Sequence, residues 1–128
     1  MKRQSCLKTG LSGAGASEPG KQAQHPVVLD VDLSVDPAKE QEMLDYFHAI
    51  FKPAAMTFQG YVDVKMCKLR LAMQGASPSG VNYRFQLTYE SEELRRKWAT
   101  SETHQNVWPG IENALRSKDF VVLLFDSV

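Results

Sequence analysis

Two segments of the sequence alternate apolar and polar residues with the period of a β-strand, and they constrain the fold most. Residues 27–35 place valine or leucine at every second position, with Asp30 and Asp32 between them. Residues 81–89 repeat the pattern with valine, tyrosine, phenylalanine and leucine. Successive strand side chains point to opposite faces, so each segment predicts a strand with one buried face.

A helix is predicted directly after the first strand. Asp36 followed by Pro37 is typical of an N-cap and a first-turn proline. Five large residues then recur at the i, i+3, i+4, i+7 and i+8 spacing of one helix face: Met43, Tyr46, Phe47, Ile50 and Phe51. Proline disrupts the helix interior, so Pro53 predicts the end of this helix.

A second helical region is predicted after residue 90. Ser91 and the acidic residues that follow it suit a helix N-terminus, and Trp98 lies on the apolar face of that helix. Ser101 predicts the cap of a further helical piece. Pro109 and Gly110 are expected to break or kink this piece.

Two other segments complete the pattern of strands. Val62, Val64 and Met66 alternate, and the apolar phase slips at Cys67, which predicts a β-bulge. Residues 120–125 form an unbroken apolar run, short enough for a strand buried on both faces. The element order is therefore β-α-β-β-α-β, which predicts a ferredoxin-like α+β fold with an antiparallel sheet. Two helices cover one sheet face, so we expect a second copy to cover the other in a homodimer.

Composition and the N-terminal segment narrow the possible binding partners, metal sites and cellular locations. The 15 basic residues balance the 15 acidic ones, and no apolar run reaches a membrane span, so we expect neither nucleic-acid nor membrane binding. Two cysteines and three histidines argue against a metal site made of protein ligands. Residues 1–25 lack apolar periodicity and are expected to be a flexible leader or a degenerate twin-arginine-like signal segment. A cytoplasmic location is predicted, with export through that leader as the alternative.

Residues 26–128 resemble the antibiotic biosynthesis monooxygenase (ABM) domain of the dimeric α+β barrel superfamily. The most specific parts are YRFQLTYESEEL at residues 83–94 and WATSETHQNVW at residues 98–108. The resemblance implies a homodimeric barrel with a pocket between sheet and helices, and cofactor-independent monooxygenation of a small aromatic phenol or quinol. The alternatives are a non-catalytic small-ligand-binding or stress-responsive barrel, and a haem-binding or haem-degrading protein.

The resemblance also assigns site residues. His104 is the expected proton acceptor, and Asn106 or Trp108 the group that stabilises the resulting anion. Five aromatic residues are expected to bind substrate: Trp98, Tyr83, Phe85, Phe47 and Phe51. Alternatively, His104 is a surface or capping residue or a haem ligand, and the tryptophans are core residues. No metal site and no organic cofactor are predicted, with haem as the exception if the alternative holds.

Overall fold

The computed structural model of the protein describes residues 25–128, which form a four-stranded antiparallel sheet with helices on one face. The strands are β1 (Val27–Leu33), β2 (Tyr61–Lys68), β3 (Tyr83–Tyr89) and β4 (Val121–Asp126). Their order across the sheet is β2-β3-β1-β4, and every neighbouring pair is antiparallel. The predicted ferredoxin-like α+β fold is confirmed. The leader predicted at residues 1–25 lies almost wholly outside the described residues.

Three helices pack on the sheet, and the predicted caps begin them. Helix α1 follows a 3-10 turn at Pro37–Lys39 and has three consecutive segments: α-helical Glu40–Tyr46, π-helical Phe47–Phe51 and α-helical Lys52–Met56. The other two helices are α2 (Glu92–Ala99) and α3 (Glu102–Glu112). Asp36 Oδ1 accepts the Ala38 N–H at 2.9 Å before the 3-10 turn. Ser91 and Ser101 cap α2 and α3 in the same way.

The π-helical segment of α1 follows from a stripe of buried residues at every fourth position. Met43, Phe47, Phe51 and Ala55 are each at most 1% exposed. In an α-helix this spacing drifts by about 40° per step, so the wider π turn is needed to keep all four on the core side. The prediction that Pro53 ends the helix is wrong. Pro53 lies in the first turn of the last α-helical segment, where a missing N–H costs little.

Helix α3 also continues through its proline, so of the predicted break or kink at Pro109 and Gly110 the break is wrong. The Pro109 carbonyl accepts the Asn113 N–H at 2.8 Å, which carries the hydrogen bonding past the ring. Gly110 lies against the Tyr46 ring of α1 and leaves no room for a Cβ atom. The Tyr46 hydroxyl donates to the Val107 carbonyl at 2.8 Å. The close approach at Gly110 thus packs α3 against α1.

Strands β2 and β4 differ from their predictions. The pairing irregularity in β2 lies between Tyr61 and Asp63, not at Cys67, and β2 ends at Lys68. The prediction that β4 is buried on both faces is wrong, because each residue from 121 to 125 is 46–55% exposed. Strand β4 is an edge strand, and only β1 pairs with it.

The sheet face away from the helices carries a mixed surface. The pairing register places Val28 of β1 beside Phe125 of β4, and Asp32 of β1 beside Arg84 of β3. Arg84 Nε donates to Asp32 Oδ1 at 2.8 Å. The open face is therefore apolar along β4 and charged toward β3. Within residues 25–128, no helix combines the length and the apolar character needed to cross a bilayer.

Candidate functional site

A pocket of about 230 Å³ lies between the helix-facing side of the sheet and helices α2 and α3. Aliphatic side chains of β1, β3 and β4 form its floor. Its aromatic lining consists of Phe85, Trp98, Trp108 and Phe120, and its polar lining consists of Arg95 and His104. An apolar cavity of about 150 Å³ is large enough to bind benzene. The pocket therefore suits an aromatic ligand of one or two rings.

His104 is held between the two tryptophans of the chain. Its ring stacks on Trp108, with 6.3 Å between centroids and 7° between planes. Trp98 meets the same ring edge to face at 5.2 Å. Within the part of the chain that the structure describes, His104 Nδ1 is the only buried side-chain nitrogen or oxygen without a hydrogen-bond partner. His104 thus lines the pocket with a ring whose Nδ1 is closed off from solvent.

Ser101 fixes the position of this histidine. Its Oγ accepts the backbone N–H of His104 at 3.1 Å and donates to the carbonyl of Trp98 at 2.6 Å. One hydroxyl thus caps α3 and ties it to the end of α2. This cap, which is a local feature of the sequence, fixes the backbone of Trp98 relative to that of His104.

The electrostatic surroundings keep His104 uncharged. Burial, followed by the nearby positive charge of Arg95, lowers the pKa of His104 below its ordinary value of 6.5. At neutral pH the ring is therefore a proton acceptor. Within residues 25–128, no carboxylate hydrogen-bonds to Nδ1 to stabilise an imidazolium, so a proton taken up by His104 is held weakly.

Arg95 is a charged pocket residue that sequence reasoning missed. Its Nε and one terminal nitrogen donate to the two carboxylate oxygens of Glu92 at 2.7 and 2.8 Å. Its side chain is only 17% exposed, and it lines the pocket beside His104. A sequence signal exists, because Arg95 precedes the pocket residue Trp98 by three positions and so lies on the same side of α2.

Three of the other predicted site residues join His104 in the pocket, and four do not. Trp98, Trp108 and Phe85 line it. Phe51 lies behind them, with its ring centroid 5.9 Å from Trp98 and 6.1 Å from Trp108. The remaining three, none of which lines the pocket, are Phe47 in the buried core, Tyr83 in the buried core and Asn106 on the exposed side of α3.

Tyr83 takes part in a different cluster. Its hydroxyl donates to Glu40 Oε2 at 2.5 Å, and the Lys68 ammonium contacts the same oxygen at 2.6 Å. Burial and the Glu40 carboxylate raise the pKa of Tyr83 to about 12. This cluster joins α1 to the ends of β2 and β3.

The pocket does not fit a haem. Drug-sized ligands need about 300–1,000 Å³, a haem is larger still, and this cavity measures about 230 Å³. The one histidine in its wall keeps Nδ1 buried and unpaired, whereas an iron-ligating histidine ordinarily hydrogen-bonds through its second nitrogen. Among residues 25–128, no group of three or more His, Cys, Asp or Glu side chains is placed to hold a metal ion.

Comparison with known proteins identifies the fold. No family model matches the sequence, and no curated protein matches it. Among solved structures, the chain is similar to a candidate antibiotic biosynthesis monooxygenase from Caulobacter crescentus CB15, at a TM-score of 0.64 and 16% identity over 83% of this chain and 92% of that one. The chain is also similar to a dimeric ferredoxin-like protein of unknown function from Jannaschia sp. CCS1, at a TM-score of 0.63 and 18% identity over 80% of this chain and 98% of that one.

A hydroxynitrile lyase from Passiflora edulis has the same fold, with a TM-score of 0.67 and 13% identity over 82% of this chain and 95% of that one. Residues 25–128 therefore have the ABM-like ferredoxin fold that the sequence resemblance predicted. Similar structures carry the names of two kinds of enzyme, so the reaction has to be argued from the pocket.

Proposed function

We propose that the protein is a monooxygenase that oxidises a small electron-rich phenol with molecular oxygen and needs no metal or organic cofactor. One observation carries the proposal: an uncharged imidazole, His104, lies in the wall of an apolar pocket lined by aromatic rings. Such a wall suits a flat aromatic ligand, and the imidazole suits a hydroxyl that must lose its proton. The names of two similar structures agree with an oxidation but specify no substrate, whereas the Passiflora edulis protein is named a lyase.

The reaction balances with the phenol as the source of all four electrons that reduce O₂. His104 takes the hydroxyl proton, and the phenolate carbon para or ortho to the oxygen forms a bond with O₂. The O–O bond then breaks, the carbon keeps one oxygen as a carbonyl, and the other oxygen leaves as water with the hydroxyl proton and the proton of that carbon. Phenol and O₂ give quinone and water, with the pocket supplying orientation and a proton acceptor.

Oxygen uptake with a panel of phenols and hydroquinones tests the proposal. We expect the parent to consume oxygen and to place one labelled oxygen atom from O₂ in the quinone. The rate of oxygen uptake should be about 10²–10⁴-fold lower in His104→Gln. His48→Gln is the matched control, because His48 is exposed on α1. Binding of phenols without oxygen uptake would refute the monooxygenase and favour a non-catalytic ligand-binding barrel.

We further propose that two copies associate through the open face of the sheet. The apolar residues of β4 that point to this face, Val121, Leu123 and Phe125, are each about half exposed. An exposed apolar edge strand is a surface that soluble proteins normally cover. The similar Jannaschia protein is described as dimeric.

Sedimentation of the full chain tests this association. We expect a dimer for the parent and a monomer for Leu123→Lys, because the lysine places a charge between the exposed apolar side chains of Val121 and Phe125. Leu71→Lys is the control, since Leu71 is exposed in the β2–β3 loop and outside the sheet. A parent that sediments as a monomer at micromolar concentration would contradict the proposal.

A further inference from the structure

The pocket contains one charged side chain, Arg95, and its carboxylate partner is shared with a second arginine. Of the pocket-lining side chains, only Arg95 carries a charge when His104 is neutral. Its partner Glu92 is shared, because Glu92 Oε2 also accepts from Arg96 Nε at 3.0 Å. One carboxylate therefore faces two guanidinium groups. The cluster carries a net positive charge at the edge of an otherwise apolar cavity.

Glu92 also fixes how Arg95 presents its remaining donors. A guanidinium has five N–H groups, and the side-on pair with Glu92 uses two of them, one on Nε and one on a terminal nitrogen. Within residues 25–128, the other N–H groups meet no acceptor. Because the paired edge is held by two bonds, the free edge is oriented in advance for a second anionic oxygen.

We propose that Arg95 is a substrate-binding residue that holds the ionised oxygen of the phenol, so that the protein binds its substrate as the phenolate. The proposal rests on the proposed function and deepens it. His104 is a weak proton acceptor, since burial and Arg95 lower its pKa. An ordinary phenol ionises near pH 10 and would not give its proton to such a base in the absence of a cation. The same positive charge that weakens the base stabilises the product of deprotonation.

The substrate class follows from this pairing. The lining combines aromatic and aliphatic walls with one cation and one neutral imidazole. Its complement is a one- or two-ring arene with a single acidic hydroxyl, which is flat, apolar over its faces and anionic at one edge. Arenes without an ionisable group leave Arg95 without an anion and are expected to bind more weakly.

A dye titration tests the proposal without any turnover. 4-Nitrophenol ionises near neutral pH, and only its phenolate absorbs in the visible range. With saturating full-length protein, we expect its ionisation midpoint to move down by about one pH unit, which corresponds to about tenfold tighter binding of phenolate than of neutral phenol. Arg95→Met should abolish the shift. Arg96→Met should keep it, because Arg96 contacts the same Glu92 but is 70% exposed and does not line the pocket.

The outcomes separate this proposal from the proposed function. A bound dye that ionises at the same or a higher pH than free dye, or no binding of the phenolate, overturns the role of Arg95. A shift that survives in Arg95→Met overturns it as well. The parent measurement needs no variant, so the test stands even if circular dichroism shows that Arg95→Met is unfolded. A shift that depends on Arg95, with no oxygen uptake from any phenol, supports Arg95 and refutes the monooxygenase.

Discussion

The imidazole of His104 and the indole of Trp108 lie parallel, one helical turn apart on α3, with 6.3 Å between their centroids. This stack places the Trp108 ring beside His104 in the wall of the pocket. The Trp108 ring also meets Phe85 at 5.5 Å and Phe120 at 6.1 Å. Aromatic surface rather than its N–H group is therefore its expected contribution.

Trp108→Phe tests that role. Phenylalanine keeps an aromatic face beside His104 and removes the indole N–H, so we expect kcat to stay within about tenfold of the parent. A donor that stabilised the developing anion would cost about 10²–10³-fold when removed. Steady-state oxygen uptake distinguishes the two values, and a loss in the larger range would assign the anion to Trp108.

His104 gives folding stability a pH dependence. Its pKa is lowered in the folded chain and returns to about 6.5 on unfolding. Below pH 6.5 the unfolded chain binds a proton on His104 more readily than the folded chain does. The stability that neutral His104 contributes is therefore present above pH 6.5 and is lost as the pH falls through the pKa of His104 in the folded chain. Urea unfolding between pH 4.5 and 7.5 should show a shallower acid decline for His104→Gln than for the parent.

The exposed residue His48 supplies the control for this measurement. His48→Gln makes the same substitution at an exposed position on α1, outside the pocket. Equal slopes in the parent and His104→Gln would contradict the assigned burial of His104.

Ser101→Ala should reduce stability and activity together. Loss of an N-cap hydroxyl costs about 1 kcal/mol, and here it also removes the bond to the Trp98 carbonyl. Ser91→Ala is the matched control, because Ser91 caps α2 without a bond to a pocket residue. We expect similar losses of unfolding free energy from chemical denaturation, and a larger fall in kcat for Ser101→Ala. Equal kcat values would show that the cap does not position His104.

Gly110→Ala tests the packing of α1 on α3. A Cβ atom at this position meets the Tyr46 ring, which is held by its bond to Val107. We expect a loss of about 1–3 kcal/mol in unfolding free energy. In a Tyr46→Leu background the same substitution should cost less, because the ring is gone. Additive effects in this double-mutant cycle would show that the two residues do not contact one another.

Local patterns predicted the fold because its determinants are local. The alternation in β1 and β3, and the capping side chains Asp36, Ser91 and Ser101, each act within a few residues of themselves. Pro109 was misjudged for the opposite reason, because the helix around it packs through a distant contact, Tyr46 against Gly110, and tertiary contacts override local preference. Pro53 was misjudged because the π-helical segment before it places the proline in the first turn of a new α-helical segment.

The pocket was predicted less completely than the fold. His104, Trp98, Trp108 and Phe85 carry recognisable chemistry or aromatic bulk, and they do lie together. Arg95 escaped notice because an arginine on a helix is ordinarily a solvent-exposed residue. The i,i+3 spacing of Glu92 and Arg95 allows a pair, but the sheet beneath that pair, which makes Arg95 part of the pocket wall, is not apparent from the sequence.

Residues 121–125 of β4 are all apolar, so an alternation of polar and apolar side chains does not specify the pairing register of this strand. A one-residue slip of a strand normally turns polar side chains into the core, but across residues 121–125 it only exchanges one apolar set for another. The register therefore depends on the ends of the segment, where the Arg116 N–H donates to the Ser34 carbonyl at 2.8 Å and the Ser127 N–H to that of Pro26 at 2.9 Å. A sheet with β4 slipped by one residue would turn Val122 away from the pocket, and no polar side chain within residues 121–125 would oppose that slip.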